Sequence, residues 1–120
     1  MPDKRGEIHN RKRAKQINDF SGLAYGNKIT PTDIDGLIEY QDKGYVLIEV
    51  KLRGVLLPYG QRLALERMTD DLTRAGKPTV CIIASHDIDD PEQDINVANT
   101  RVREYRWHKK WQTTSDLRKS

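Results

Sequence analysis

The stretch Asp33-Ile34-Asp35-Gly36-Leu37-Ile38-Glu39, followed after a short turn by Tyr45-Val46-Leu47-Ile48-Glu49-Val50-Lys51, sets acids and a lysine into two otherwise apolar runs. Short apolar runs bounded by turn residues read as strands. Pro31 fixes the entry to the first, residues 32–40; Gln41-Asp42-Lys43-Gly44 reads as a four-residue hairpin turn, and residues 45–51 form the partner strand. Strand side chains alternate faces, so Asp33, Asp35, Leu37 and Glu39 share one face of the first, and Glu49 and Lys51 share one face of the second. A charge inside a run that would otherwise be buried needs a partner or a metal.

Working outward, a loop with Gly54 and Pro58 leads to a helix over residues 59–75, closed by Gly76. Its apolar stripe is Leu65, Met68 and Leu72, with Ala64 and Ala75 beside it and Gln61 on the same stripe. Lys77-Pro78 then opens a fully apolar strand over 79–84, which reads as central because it shows no alternation. Strand, helix, strand at this spacing implies a right-handed crossover and parallel pairing of 45–51 with 79–84. Upstream, residues 5–20 tolerate helix, with Ile8, Ile17 and Phe20 facing a core, before Gly22, Gly26 and Asn27 break it. Downstream, an acidic loop over 86–94 precedes residues 95–107, which read as one or two strands or as a helix and a strand. His108-Lys109-Lys110 then makes a tight turn before Trp111, and Ser115 caps a short terminal helix from Asp116.

At 120 residues the chain fits one domain, residues 1–120. The net charge of +3 conceals a lopsided distribution. Lys4, Arg5, Arg11, Lys12, Arg13 and Lys15 face only Glu7; a second basic excess runs from Arg101 to Lys119; Asp87, Asp89, Asp90, Glu92 and Asp94 lie between. Basic ends suit a polyanion such as nucleic acid, the alternative being solvated surface charge. The single cysteine, Cys81, sits in the apolar run and excludes an intramolecular disulfide, so a reducing compartment and a core role are expected. No apolar stretch reaches the roughly 20 residues that span a bilayer, and no signal-peptide pattern follows Met1. The expectation is a soluble, intracellular (cytoplasmic) protein with no membrane partner.

A hard cation such as Mg²⁺ takes oxygen ligands, often one or two carboxylates with water and substrate phosphate. Asp35 and Glu49 supply that need, and the Val50 carbonyl adds an oxygen at the strand end. Lys51 would stabilise charge developing on a phosphoryl group or orient the attacking water. The competing reading of these three charges is a buried ion pair at a sheet end.

Asp35, thirteen intervening residues, Glu49-Val50-Lys51, and Gln61 opening the next helix together resemble the PD-(D/E)XK nuclease superfamily, particularly its small branch near Holliday junction resolvases and phage or mobile-element nucleases. The resemblance covers roughly residues 5–86. It implies an α/β, restriction-endonuclease-like fold with a mixed central β-sheet flanked by helices. Asp35 and Glu49 would bind Mg²⁺ or Mn²⁺, Lys51 would be catalytic, Gln61 would support the site, and Glu7 on the first helix would assist. Two features depart from the pattern: Ile34 stands where the family has Pro, and Asp33 after Pro31 offers a shifted candidate for the first acid. Asp35 is preferred because Gly36-Leu37-Ile38 continues the strand behind it, with Asp33 in reserve as a ligand.

The implied activity is a metal-dependent endodeoxyribonuclease that hydrolyses DNA phosphodiester bonds by a metal-activated water, with a homodimer placing two sites on two strands. Arg11, Lys12, Arg13 and Lys15 would track the DNA backbone, with Arg53 and Tyr59 following the lysine. His86 ends the buried run where loops carry function. Tyr105, Trp107 and Trp111, interleaved with Arg101, Arg103, Arg106, Lys109 and Lys110, suit either base stacking or a small core. The competing functions are a non-catalytic nucleic-acid-binding module of the same fold and a protein-interaction role through the acidic loop.

Overall fold

The computed structural model of the chain describes residues 6–8, 11–26, 29 and 31–114, which fall into two units, Met1–Thr32 and Asp33–Ser120. In the first, only α1 (Arg11–Ala14) is α-helical among the described residues, followed by a 3₁₀ turn at Ser21–Leu23 and an isolated bridge between Tyr25 and Ile29. The helix expected over residues 5–20 is therefore reduced to one turn; its expected start at Arg5 lies outside the described residues. Ile8 stands nine residues before Ile17, and Ile8, Ile17 and Phe20 all stay exposed. Without a buried stripe, a helix of this length is marginal in water.

The second unit is a five-stranded mixed sheet with one long helix: β1 (Gly36–Tyr40), β2 (Gly44–Leu52), α2 (Tyr59–Arg74), β3 (Thr79–His86), β4 (Arg101–Trp107) and β5 (Lys110–Thr113). The strands lie side by side in chain order, so β3 is central, as its unbroken apolar run requires. β2 and β3 are parallel, with Leu47 opposite Cys81, Glu49 opposite Ile83 and Lys51 opposite Ser85; the other three pairings are antiparallel. The chain between β2 and β3 crosses over through α2, as the parallel pairing of the two strands requires. The remaining expectation for residues 95–107 resolves into a 3₁₀ turn, Val97–Asn99, and β4.

Leu47, Leu65, Cys81 and Ile83 form the core, with Ile34, Leu57 and Trp111 packed against it. Burial pushes the Cys81 thiol up to about 11, which leaves it an inert packing group. On α2 the inward row is Gln61, Leu65 and Thr69 at i, i+4 and i+8, whereas Met68, expected in the stripe, is exposed. Thr69 tolerates full burial because its hydroxyl donates to the Leu65 carbonyl at 2.7 Å. Two glycines have steric reasons. Gly76 adopts φ +94 in the C-terminal cap, where the Lys77 amide donates to the Leu72 carbonyl at 3.0 Å. Gly44 passes so close to the Pro78 carbonyl oxygen that a Cβ would collide with it.

A polar cluster joins α2 to β4 and β5. Arg106, nearly buried, donates from Nε to Asp70 at 2.9 Å and from Nη2 at 2.7 Å, and pairs with Glu66 at 3.2 Å. Glu66 also accepts from the Trp111 indole at 2.8 Å, and the Arg62 guanidinium lies 4.2 Å over that ring while pairing with Glu104. Trp111 is thus a packing residue. His108 and Lys109, both at positive φ, make the β4–β5 turn. The terminal helix expected after Ser115 lies outside the described residues. Among those described, no helix is long and apolar enough to cross a membrane.

Candidate metal centre

Glu49 reaches its position because β2 alternates: Leu47, Glu49 and Lys51 share a face, and Leu47 is in the core against Leu65 of α2. The glutamate is therefore 2 % exposed. Its Oε1 lies 3.5 Å from the Lys51 ammonium, while its Oε2 is buried without a hydrogen-bond partner among the described residues. Burial holds the Glu49 carboxyl above its ordinary range, the neighbouring charge of Asp35 pushes it further up, and Lys51 offsets part of this.

Asp35 does not lie within a strand. The ladder of β1 ends at the pair Gly36–Ile48, and residues 32–35, expected as strand, precede it. In place of a further ladder bond, the Asp35 carboxylate accepts the Val50 amide at 2.8 Å. A side-chain oxygen thus takes a donor that a longer β1 would have satisfied with its backbone. Ile34 packs against the core and holds the chain just before Asp35. The consequence is that Asp33 and Asp35 are not placed together by strand alternation: Asp33 is exposed and presents its carbonyl to the Gln61 side-chain amide at 3.5 Å.

The structure brings Asp35, Glu49, Val50 and Lys51 together and seats Gln61 on the segment that carries Asp35. Glu7, Lys12, Arg13 and Lys15 are exposed residues of the N-terminal unit, and Arg11 opens its helical turn. Tyr59 is exposed at the start of α2, and His86 accepts the Ile88 amide on Nδ1 at 3.1 Å within its own turn. Arg103 carries a role that the sequence reading did not assign. Its guanidinium donates to the Val55 carbonyl at 2.8 Å and to the Leu52 carbonyl at 3.5 Å, tying down the loop that follows Lys51.

Among the described residues no three His, Cys, Asp or Glu side chains cluster as a metal cage. The donors come as a pair of carboxylates, a set of hard oxygens that suits Mg²⁺ or Mn²⁺ with water and phosphate completing the shell. The buried Glu49 Oε2 is the observation that fits a cation, because that oxygen accepts no hydrogen bond among the described residues and Lys51 sits on the other oxygen of the carboxylate. No protein-family model matches the chain, and no curated protein or solved structure matches it either.

Proposed function

We propose that the chain is a metal-dependent endodeoxyribonuclease of the restriction-endonuclease-like fold, with DNA as its partner. The observation that carries the reading is Glu49: a buried acid with one free oxygen, a second acid beside it and a lysine on its other oxygen. A structural ion pair would leave the buried Glu49 and the exposed Asp35 against one lysine, and a further cation would balance the second carboxylate. The strand, turn, strand, helix, strand order and the Gln61 contact support the same assignment.

Asp35 and Glu49 would hold the cation, and the Val50 carbonyl stays a candidate third oxygen. When bound, the ion supplies Lewis acidity toward a phosphoryl oxygen and lowers the pKa of water. The Val50 amide fixes the Asp35 carboxylate in orientation, so that ligand needs little reorganisation. Lys51 places an ammonium where charge develops on the phosphoryl oxygens, worth on the order of 10²-fold or more in rate for one well-placed donor. Gln61 positions the Asp33 carbonyl and, through it, the segment bearing Asp35. A homodimer setting two such sites on two strands is the assembly that duplex cleavage would need.

The test is cleavage of supercoiled, linear, single-stranded and branched DNA by the full chain with Mg²⁺, Mn²⁺ or EDTA. Metal-dependent cleavage of at least one substrate is expected, reduced about 10²-fold or more in Lys51→Ala. Equal cleavage by a folded Lys51→Ala overturns the role of the lysine. Salt-sensitive DNA binding with no cleavage of any substrate would make the chain a binding module of the same fold.

A further inference from the structure

At the carboxyl ends of β2 and β3 lies a cavity of about 500 Å³ lined by Arg53, Ser85, Arg101, Arg103 and Thr114, among others. Ser85 is the register partner of Lys51, so the cavity begins one strand spacing, about 4.8 Å, from the backbone of the lysine. Three arginines and two hydroxyl side chains supply its polar lining, beside the apolar Leu56 and Val102, and none of the five is acidic.

The charges are unevenly matched. Asp87 bridges two of the arginines, one carboxylate oxygen to each: Oδ1 lies 3.4 Å from Arg53 and Oδ2 lies 2.6 Å from Arg101. Asp89 meets the other arm of Arg53 at 3.4 Å. Arg103, by contrast, donates only to neutral oxygens among the described residues: Ser85 Oγ at 2.9 Å and the carbonyls of Val55 and Leu52. Its charge has no carboxylate there. The pairs that do exist join half-exposed or exposed side chains, and such pairs are held weakly.

We propose that this cavity seats a phosphate group of a nucleic-acid strand on Arg53, Arg101 and Arg103, and that Asp87 occupies two of those arginines until the phosphate displaces it. A backbone phosphate, like the Asp87 carboxylate, offers two oxygens over one negative charge, the pattern a pair of guanidinium forks recognises. It also supplies what Asp87 does not, an anion for Arg103. The choice of a nucleic-acid strand as carrier rests on the nuclease reading, since the seat adjoins Lys51 and would hold a phosphate neighbouring the one to be cut. The acidic loop then acts as an internal competitor that raises the threshold for binding.

Binding of a labelled oligonucleotide to the full chain, followed by fluorescence anisotropy in EDTA over a salt series, tests this without any cleavage. Arg101→Ala is the informative loss, because its side chain is exposed and pairs only with Asp87 among the described contacts. It should weaken binding about tenfold and lower the salt slope by about one. Asp87→Asn should tighten binding several-fold, whereas Asp90→Asn, an equal change in net charge within the same loop, should leave it nearly unchanged. Unchanged affinity and slope in Arg101→Ala, or equal effects of the two loop variants, would overturn the proposal. Inorganic phosphate separates the carriers: if it stabilises the protein to heat in an Arg101-dependent way while oligonucleotide binding ignores Arg101, the seat is for free phosphate and the strand assignment fails. Because EDTA suppresses cleavage, an intact seat on a chain that never cuts DNA would sink the nuclease reading alone.

Discussion

Glu49 could have been a leucine or a valine without disturbing the pattern of β2, since its neighbours on that face, Leu47 and the opposing Ile83, are buried. An acid at 2 % exposure with an unpartnered oxygen lowers the stability of the metal-free fold. Glu49→Gln keeps the shape, removes the charge, and gives Asp35 an amide donor in place of a like charge. The metal-free variant should melt a few degrees above the parent, as 1 kcal/mol corresponds to about 4 °C at this size. Stabilisation by added Mg²⁺ should disappear in the same variant. A thermal melt of both proteins with and without Mg²⁺ checks this, and a lower melting temperature for the metal-free variant would show that Glu49 is already compensated. The sequence made Glu49 and Lys51 legible because both interrupt an apolar run. Met68 was misread for the complementary reason: apolarity alone placed it inward, while the local hydroxyl-to-carbonyl bond that lets Thr69 take the buried row leaves no trace in a hydrophobic pattern.

At the scale of elements, β2, α2, β3 and the turn before β5 were legible within a residue or two, since each carries its own period and its own stop signal. β1 was not. Residues 32–35 look like strand, but the Asp35 side chain takes the Val50 amide and ends the ladder, a substitution of side chain for backbone that periodicity does not register. The join between the hairpin and β3 is sterically tight. The Tyr45 amide donates to the Pro78 carbonyl at 3.1 Å, and Gly44 leaves no room there for a Cβ. Gly44→Ala should therefore cost about 1–3 kcal/mol, measured by urea unfolding; an unchanged midpoint would mean that the Pro78 segment moves freely.

The contact between α2 and β4 carries its own pH dependence. Hydrogen bonds from Arg106 hold the Asp70 carboxyl below its ordinary value of 3.8. An acid whose folded value is depressed stabilises the fold fully above the unfolded value, and that stability is lost as pH falls below about 3.8 through the lowered folded value. Asp70→Asn should cost about 2 kcal/mol at neutral pH and flatten the acid limb of the stability profile. Denaturant melts across the acid range check it; parallel profiles for the two proteins would assign the acid limb to other groups.

For the whole molecule, the parallel pair β2–β3 with its α2 crossover is what places the candidate chemistry. Parallel strands end on the same side of the sheet, so Lys51 at the end of β2 adjoins Ser85 near the end of β3 and the arginine-lined cavity beside it. This mixed α/β arrangement followed from the order of apolar runs and the helix between them. The N-terminal unit did not: a basic run with scattered apolar residues has no buried face to fix a helix, and composition alone overstated its regularity. Within the sheet unit, the arginines of that cavity are the positive feature that adjoins Lys51.

Conversion of supercoiled plasmid DNA to nicked or linear product, followed across a Mg²⁺ series for the wild-type chain and Glu49→Gln side by side, bears on the metal centre most directly. Wild-type product should rise with Mg²⁺ and vanish in EDTA, while the variant, shown to be folded by its melting transition, should fall by about 10²-fold or more. Equal product from the folded variant, or wild-type product that is indifferent to Mg²⁺ and EDTA, would contradict a nuclease centre built on Glu49.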